Sequence, residues 1–509
     1  MQDHKMNKYG FARLLLAIYA AVFGCVFVQI LLFNTSFGYR RVLQVVLVLG
    51  WLLAVGALAL LASRFKAQLY RRKYWVLAAV MLLVFGVQVW VGIATKQQLN
   101  HDYGEVFNGA VLYATKGANV AEFEPYTYYV HHFANNAGMF TILQLLFTAL
   151  NGLGLTCFYE AAVVMGHLLF ALAILFAFLY LNRAFGPGAA LFSLLFWVAF
   201  LPVYFQSSIA YTDTYTIFLP PLILYCHQRA KTTNYWPVRI ALYAAVGALA
   251  AFGLELKATI AITAVAVVLE VAVCCKWKQL LALVLVGSAA FCGVYFAAQG
   301  YKHATIWDKE RLANESLPIT HWVMMVLNGD GAYSGSDEWD ITMSVPGKAA
   351  RGKKTVEEIQ SRLQNMGPGG FLQLLHRKPS RTFGSGNGNV DYLLVRMPDD
   401  PGHFVYQIIT PVGRLWRYFD ISSQAVYLGF YVLGVAGAVV ALVKKKKAYL
   451  QNTAPFLALV GFYVFMMLWE SNHRQLVNQW PLFIITAAAG AAGVYGSLQK
   501  HLPFKKTKQ

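Results

Sequence analysis

Apolar residues in this chain are gathered into long blocks, which constrains the fold more than any motif does. A helix needs ~20 apolar residues to cross ~30 Å of hydrocarbon, and windows that meet or approach this recur along the sequence. Twelve are found, over residues 11–33, 42–63, 74–95, 158–181, 188–206, 214–227, 237–253, 258–275, 279–299, 424–443, 453–470 and 480–496. The apolar run from Met139 to Leu150 is short for a span and reads as an interfacial or re-entrant helix. The first block is too long for a signal-peptide core, has no clear cleavage site and is read as retained. Of the 509 residues, 58% are hydrophobic and 13% charged. Ordinary soluble domains carry roughly 25% charged residues, so a soluble enzyme is excluded. The expectation is an all-α polytopic membrane protein with about 12 spans.

The net charge of +19 would suggest a nucleic-acid partner in a soluble protein. In a polytopic one it reports orientation, because loops rich in Lys and Arg stay cytoplasmic. With both termini inside, the cytoplasmic segments are the N-terminus with Lys5, Lys8 and Arg13, the loops Arg64 to Lys73, Arg183, Arg229 to Arg239, Lys276 to Lys278 and Lys444 to Lys447, and the tail with Lys505, Lys506 and Lys508. They hold 22 of the 42 basic residues and one acid, Asp3, leaving +21 on that face and −2 elsewhere. Arg40 and Arg41 fall on the other side. The expected plan is therefore a two-helix addition over 1–73, a transmembrane core over 74–299 with a first external loop at 96–159, an external loop unit at 300–423, and C-terminal spans with a basic tail over 424–509. In the large loop, Asn328-Gly-Asp-Gly-Ala-Tyr and Gly384-Ser-Gly-Asn-Gly-Asn read as turns, and Thr355 to Met366 as a helix.

The six cysteines lie in or beside spans without disulfide, zinc or redox spacing, and Cys274 and Cys275 read as apolar packing residues. The adjacent His131 and His132 lack metal-ligand spacing, and glycines 384, 386 and 388 lack the strand-turn-helix setting of a phosphate loop. Phe123, Tyr126, Tyr128, Tyr129 and Phe133 read as an interfacial aromatic belt, with stacking on a sugar ring as the alternative. What stands out is where ionisable groups collect, since they are costly at membrane depth. His101-Asp102-Tyr-Gly-Glu105, Tyr211-Thr-Asp213, Glu255 with Lys257, and Glu470 with His473 and Arg474 all fall at the external membrane level. Each has a plainer reading: a helix cap for Asp102 or Asp213, snorkelling for Lys257, an ion pair on a helix end for Glu470 with Arg474. Their convergence from four loops points to a site. Only Glu270 lies inside a span.

An external face has no nucleotide sugars, so group transfer there needs a donor activated within the membrane, such as a polyprenyl-phosphate sugar. The transfer calls for a carboxylate to take the acceptor's proton, which suits Asp102, and cations for the departing phosphate, which suit Lys257 and Arg474. Over roughly residues 74–496 the layout resembles the GT-C integral-membrane glycosyltransferases, the superfamily of protein O-mannosyltransferases and lipid A aminoarabinose transferases. The matching residues are Asp102-Tyr-Gly-Glu105 in the first loop, Tyr211-Thr-Asp213 before a proline-containing helix, and Glu470 with Arg474 near the end. Gly253-Leu-Glu-Leu-Lys257-Ala-Thr259 and Pro318-Ile-Thr-His321-Trp322, continuing to Gly331-Ala-Tyr333, are similar to stretches in Gram-positive members.

The resemblance implies a GT-C-like core and sugar transfer to an envelope acceptor (wall polymer, lipid or protein) on the outer face of a bacterial plasma membrane. Asp102 would be the base, with Glu105 and Asp213 beside it. Lys257, Arg474 and Glu470 would surround the donor phosphate, and Tyr211, His321 and Tyr333 would touch substrate. The acidic motif is neither Asp-x-Asp nor an adjacent Asp-Glu, which leaves a divalent cation open. A transporter or flippase of a lipid-linked saccharide and a non-catalytic envelope scaffold are the competing readings. The first lacks the internal repeats and midplane charges usual in carriers; the second leaves the convergent charges unexplained.

Overall fold

The computed structural model describes residues 2–33, 41–95, 99, 101–329, 331–333, 336–390, 394 and 403–499. Arg40 and the tail lysines Lys505, Lys506 and Lys508 lie outside the described residues, as do the side chains of Asp3, Lys5, Lys8 and Cys274. Among the described residues every regular element is a helix.

Among the described residues eight helices are long and apolar enough to cross a membrane: Tyr9–Phe33, Arg41–Ser63, Lys73–Ala94, Phe158–Ala184, Trp236–Leu256, Trp277–Thr305, Trp416–Val443 and His473–Leu498. The remaining four of the twelve apolar windows form shorter helices, and prolines and polar residues are the reason. The 188–206 window is divided into Pro187–Ala199 and Pro202–Gln206, because proline lacks the amide a helix interior needs. The 214–227 window starts late, at Leu219, with Pro220 and Pro221 in its first turn. The 258–275 and 453–470 windows become Ala258–Val273 and Ala454–Leu468. At 1.5 Å per residue such helices fall short of ~30 Å, so among the described residues the twelve expected windows hold eight long helices and four short ones. The Met139–Leu150 run sits in Ala134–Gly152, which with Ala121–His132 makes a pair bent by 101°.

The last long helix is the centre of the bundle, with 72% of its apolar window buried, whereas Trp277–Thr305 has 6% buried and faces outward. Small residues let the central helices meet. A Cβ on Gly490 would overlap the carbonyl oxygen of Leu433, so Trp480–Leu498 and Trp416–Val443 touch backbone to backbone.

The bundle has two chemically distinct ends. At the Lys- and Arg-rich end, Lys231 Nζ reaches Asn452 Oδ1 at 3.0 Å, Asn452 Nδ2 donates to Ala184 O at 3.4 Å, and Lys446 Nζ donates to Gly493 O at 2.7 Å. Glu270 belongs here too, which refines its reading as a charge inside a span. Its carboxylate takes His227 Nε2 at 3.0 Å and Lys231, and accepts from Ala454 N at 2.6 Å and Thr453 Oγ1 at 3.2 Å. It thus supplies the acceptor that the start of Ala454–Leu468 needs, from another helix.

At the opposite end the first loop folds as His101–Lys116 against Ala137–Gly152, with Glu124–His132 between them in sequence. The large loop docks on it. Trp307 Nε1 donates to Val130 O at 3.1 Å, Leu317 N to His132 O at 3.1 Å, and Asp308 N to His131 Nε2 at 2.9 Å. His131 Nδ1 is 2.6 Å from Thr127 O, so the ring is a neutral tautomer that donates on one side and accepts on the other. The expected Thr355–Met366 helix lies within Lys348–Phe383, which changes direction at Gly367 (φ 60°). The loop after it fits its reading as turns: Gly386 N donates to Gln424 Oε1 at 2.8 Å, and Gly388 has a φ of 69°.

Candidate functional site

Asp102 stands in the first turn of His101–Lys116, where a carboxylate suits the helix dipole. Two backbone features set it there. His101 has a φ of 56°, rare for a residue with a side chain. Gly104 lies directly under the Leu99 carbonyl, which a Cβ would overlap. Tyr103 and Phe107 then bury the inner face and leave Asp102 half-buried at the rim. Tyr129 Oη donates to Asp102 Oδ1 at 2.9 Å, Asn136 Nδ2 donates to Tyr129 Oη at 2.6 Å, and Tyr211 Oη donates to Asn136 Oδ1 at 3.0 Å. Each donor points toward the carboxylate, so the chain of hydrogen bonds has one direction, and Tyr129 engages one of the two Asp102 oxygens. Glu105, one turn on, is exposed. Partial burial, and then the Asp102 charge, push its carboxyl above the usual range.

Tyr211 connects this network to a second cluster. Arg474 stacks its guanidinium over the Tyr211 ring, 5.3 Å from the centroid. Asp213 is 1% exposed and ion-paired to Lys257, with Arg474 Nε 3.5 Å from its other oxygen. The three residues come from three chain breaks: Tyr211 and Lys257 are extended residues between helices, and Arg474 begins after the extended Asn472. Asn478 Nδ2 ties the breaks together, donating to Thr216 Oγ1 at 3.3 Å and Thr259 Oγ1 at 3.0 Å. Asn472 Oδ1 accepts from Arg474 N at 3.0 Å, and its amide donates to Glu470 Oε1 at 3.3 Å. The charges of Asp102 and Glu470 also act on Arg474.

Asp102, Asp213, Lys257, Arg474, Glu470 and Tyr211 are therefore one constellation, as the convergence of the four loops suggested. The others fall differently. Tyr333 is at the rim, 50% exposed, with its hydroxyl pushed up by partial burial and by the charges of Glu338, Asp102, Asp340 and Glu470. His321 is buried in the large loop, its Nδ1 2.7 Å from Thr342 Oγ1, and burial lowers it to about 4. It holds Ile319–Val326 to Ser336–Met343. Glu255 turns away to Lys302 at 2.5 Å and Gln299 at 3.0 Å, while its carbonyl packs against Gly138, where a Cβ would collide with it.

The belt reading of the first-loop aromatics is corrected. Phe123 is buried against Phe140, Tyr129 holds Asp102, and Phe133 lies over Trp339; Tyr128 is the one exposed above a third, at 42%. The sequence placed Tyr129 among the aromatics without its bond to Asp102, and did not single out Asn136. The polar pair Asn135-Asn136 between an aromatic segment and an apolar helix was the available signal. Among the described residues no three His, Cys, Asp or Glu side chains form a metal-holding group.

The sequence matches the family described as "Conserved hypothetical integral membrane protein" over residues 12–492. Comparison with curated proteins finds no match. Among solved structures, the chain is similar to ArnT from Cupriavidus metallidurans in a crystal structure bound to undecaprenyl phosphate. The identity is 13%, the match covers 84% of this chain and 79% of that chain, and the TM-score is 0.34.

Proposed function

We propose that this chain, which belongs to the family of conserved hypothetical integral membrane proteins, is a GT-C-type glycosyltransferase that uses a polyprenyl-phosphate sugar donor. The observation that carries the reading is the buried Asp213 held between Lys257 and Arg474, joined through Tyr211, Asn136 and Tyr129 to a half-buried Asp102. Lys257 and Arg474 are two cations that share one directly paired carboxylate, and together they attract a phosphodiester. A carboxylate beside them, with one oxygen unoccupied by Tyr129, accepts a proton.

The acceptor hydroxyl gives its proton to Asp102 as its oxygen bonds to the anomeric carbon. The anomeric carbon–oxygen bond to phosphate breaks on the opposite face, and the polyprenyl phosphate leaves with its new charge against Lys257 and Arg474. The product is inverted. A positioned base contributes about 10²–10⁴-fold, and the pre-oriented cations act where charge develops. Asp213 serves here as counter-ion to the cations rather than as an acceptor ligand. Glu105 lies at the acceptor side, and Glu470 orients the Arg474 loop through Asn472.

The Lys- and Arg-rich end is assigned to the cytoplasm and the site end to the outer face of a bacterial plasma membrane, where the acceptor is an envelope component. Purified protein with labelled polyprenyl-phosphate hexose and envelope extract gives covalent product. Asp102→Asn cuts turnover by at least about 10²-fold while donor binding persists. Undiminished turnover removes Asp102 from the base role. Movement of the lipid-linked sugar across proteoliposomes without product replaces the reading by a transporter.

A further inference from the structure

An array of aromatic rings starts at Tyr129, the residue that holds Asp102. Tyr129 contacts Phe133 with ring centroids 5.0 Å apart. Phe133 lies nearly parallel to Trp339 (5.8 Å, 17°) and 6.4 Å from Trp322, and Trp322 lies nearly parallel to Trp469 (6.5 Å, 23°). Three distant segments contribute: the first loop, the large loop and the turn before Glu470. Fully buried aromatics such as Trp197 and Trp480 fill the bundle core, whereas Phe133, Trp322, Trp339 and Trp469 keep part of their surface open and Tyr333 is exposed beside them.

Aromatic rings that keep part of their surface open suit the C–H faces of pyranoses, which carry partial positive charge and meet the negative ring face. The local charge selects among glycans. The carboxylates Glu338, Asp102, Asp340 and Glu470 act on Tyr333, and the nearby cations are engaged, Arg362 with Glu338 and Glu358 and Lys378 with the Trp469 carbonyl, so a phosphate-bearing polymer is disfavoured on this side. The site's Lys257 and Arg474 stand at the Asp213 side instead.

We propose that the acceptor is the end of an uncharged or amine-bearing glycan chain, lying along Phe133, Trp339, Trp322 and Trp469 and presenting its terminal hydroxyl to Asp102. This rests on the transferase reading for the reaction but not for the binding.

The test is binding of maltohexaose and chitohexaose to the purified full chain, with poly(glycerol phosphate) as the polyanion, followed by tryptophan fluorescence and calorimetry. At least one neutral hexasaccharide binds saturably. Trp339→Ala weakens it about tenfold or more, the scale of a buried aromatic anchor, and Trp339→Phe restores part of the affinity. Asp102→Asn loses transfer and keeps the binding, so failure of the transfer reading and failure of the glycan reading are seen separately. No binding of either hexasaccharide, tighter binding of poly(glycerol phosphate), or unchanged affinity in a folded Trp339→Ala protein overturns the proposal.

Discussion

Asp213→Asn removes the carboxylate that is ion-paired to both Lys257 and Arg474. The side chain is 1% exposed, and its partners are 10% and 20% exposed, so water screens little of what is lost. Breaking a buried ion pair by neutralising one partner costs about 3–5 kcal/mol, because the other charge is stranded. Here two cations are stranded, which places Asp213→Asn at the upper part of that range. Lys257→Met strands only a carboxylate that Arg474 still holds at 3.5 Å, and the expected cost is smaller, about 2 kcal/mol. The double variant Asp213→Asn/Lys257→Met loses both members of the pair together. Its cost falls short of the sum of the singles by about 1–3 kcal/mol, the coupling usual for contacting charges. Thermal unfolding of the purified protein in one detergent, with all four forms compared, measures the cycle. Additive losses, or Lys257→Met costing more than Asp213→Asn, would refute the idea that Asp213 neutralises both cations.

Gly104→Ala places a methyl group against the Leu99 carbonyl, which is backbone and yields little. Overpacking of this kind costs about 1–3 kcal/mol, and turnover is expected to drop further than stability because Asp102 is two residues away. Wild-type turnover in a folded Gly104→Ala protein would show that this contact does not position the base. His321, lowered to about 4 by burial, is neutral in the fold but gains a proton near pH 6.5 when unfolded. Its contribution is fully present above about 6.5 and is lost as pH falls toward about 4. His321→Gln should flatten that part of the profile, read by proteolysis of the large loop between pH 7 and 4, with donor affinity unchanged; an unchanged slope assigns the acid lability elsewhere.

Much of this was legible in the order of residues. Asp102, Asp213, Lys257 and Arg474 could be grouped because hydropathy alone places each at the same end of a block, and membrane level is a one-dimensional property. Tyr129 and Asn136 could not, because their role depends on a hydroxyl and an amide meeting across a bent helix pair. Helix lengths were not legible where hydropathy and backbone chemistry diverge: the blocks at 188–206 and 214–227 are apolar, but Pro202 and Pro220 with Pro221 set where their helices begin and break. Glu255 and Glu470 were indistinguishable as acids at the loop level, yet packing sends one to Lys302 and the other to the Arg474 loop.

By itself the sequence determined an all-helical membrane chain with a charged, chemically special end, since the cost of burying charge and unpaired backbone in hydrocarbon leaves few alternatives. The tertiary structure decided the pairing of charges: which acid neutralises the cations, which keeps an oxygen free, and which aromatics border it. Ion pairs and hydrogen bonds depend on separations of a few ångströms between residues hundreds of positions apart. Only close packing of the helices sets those separations.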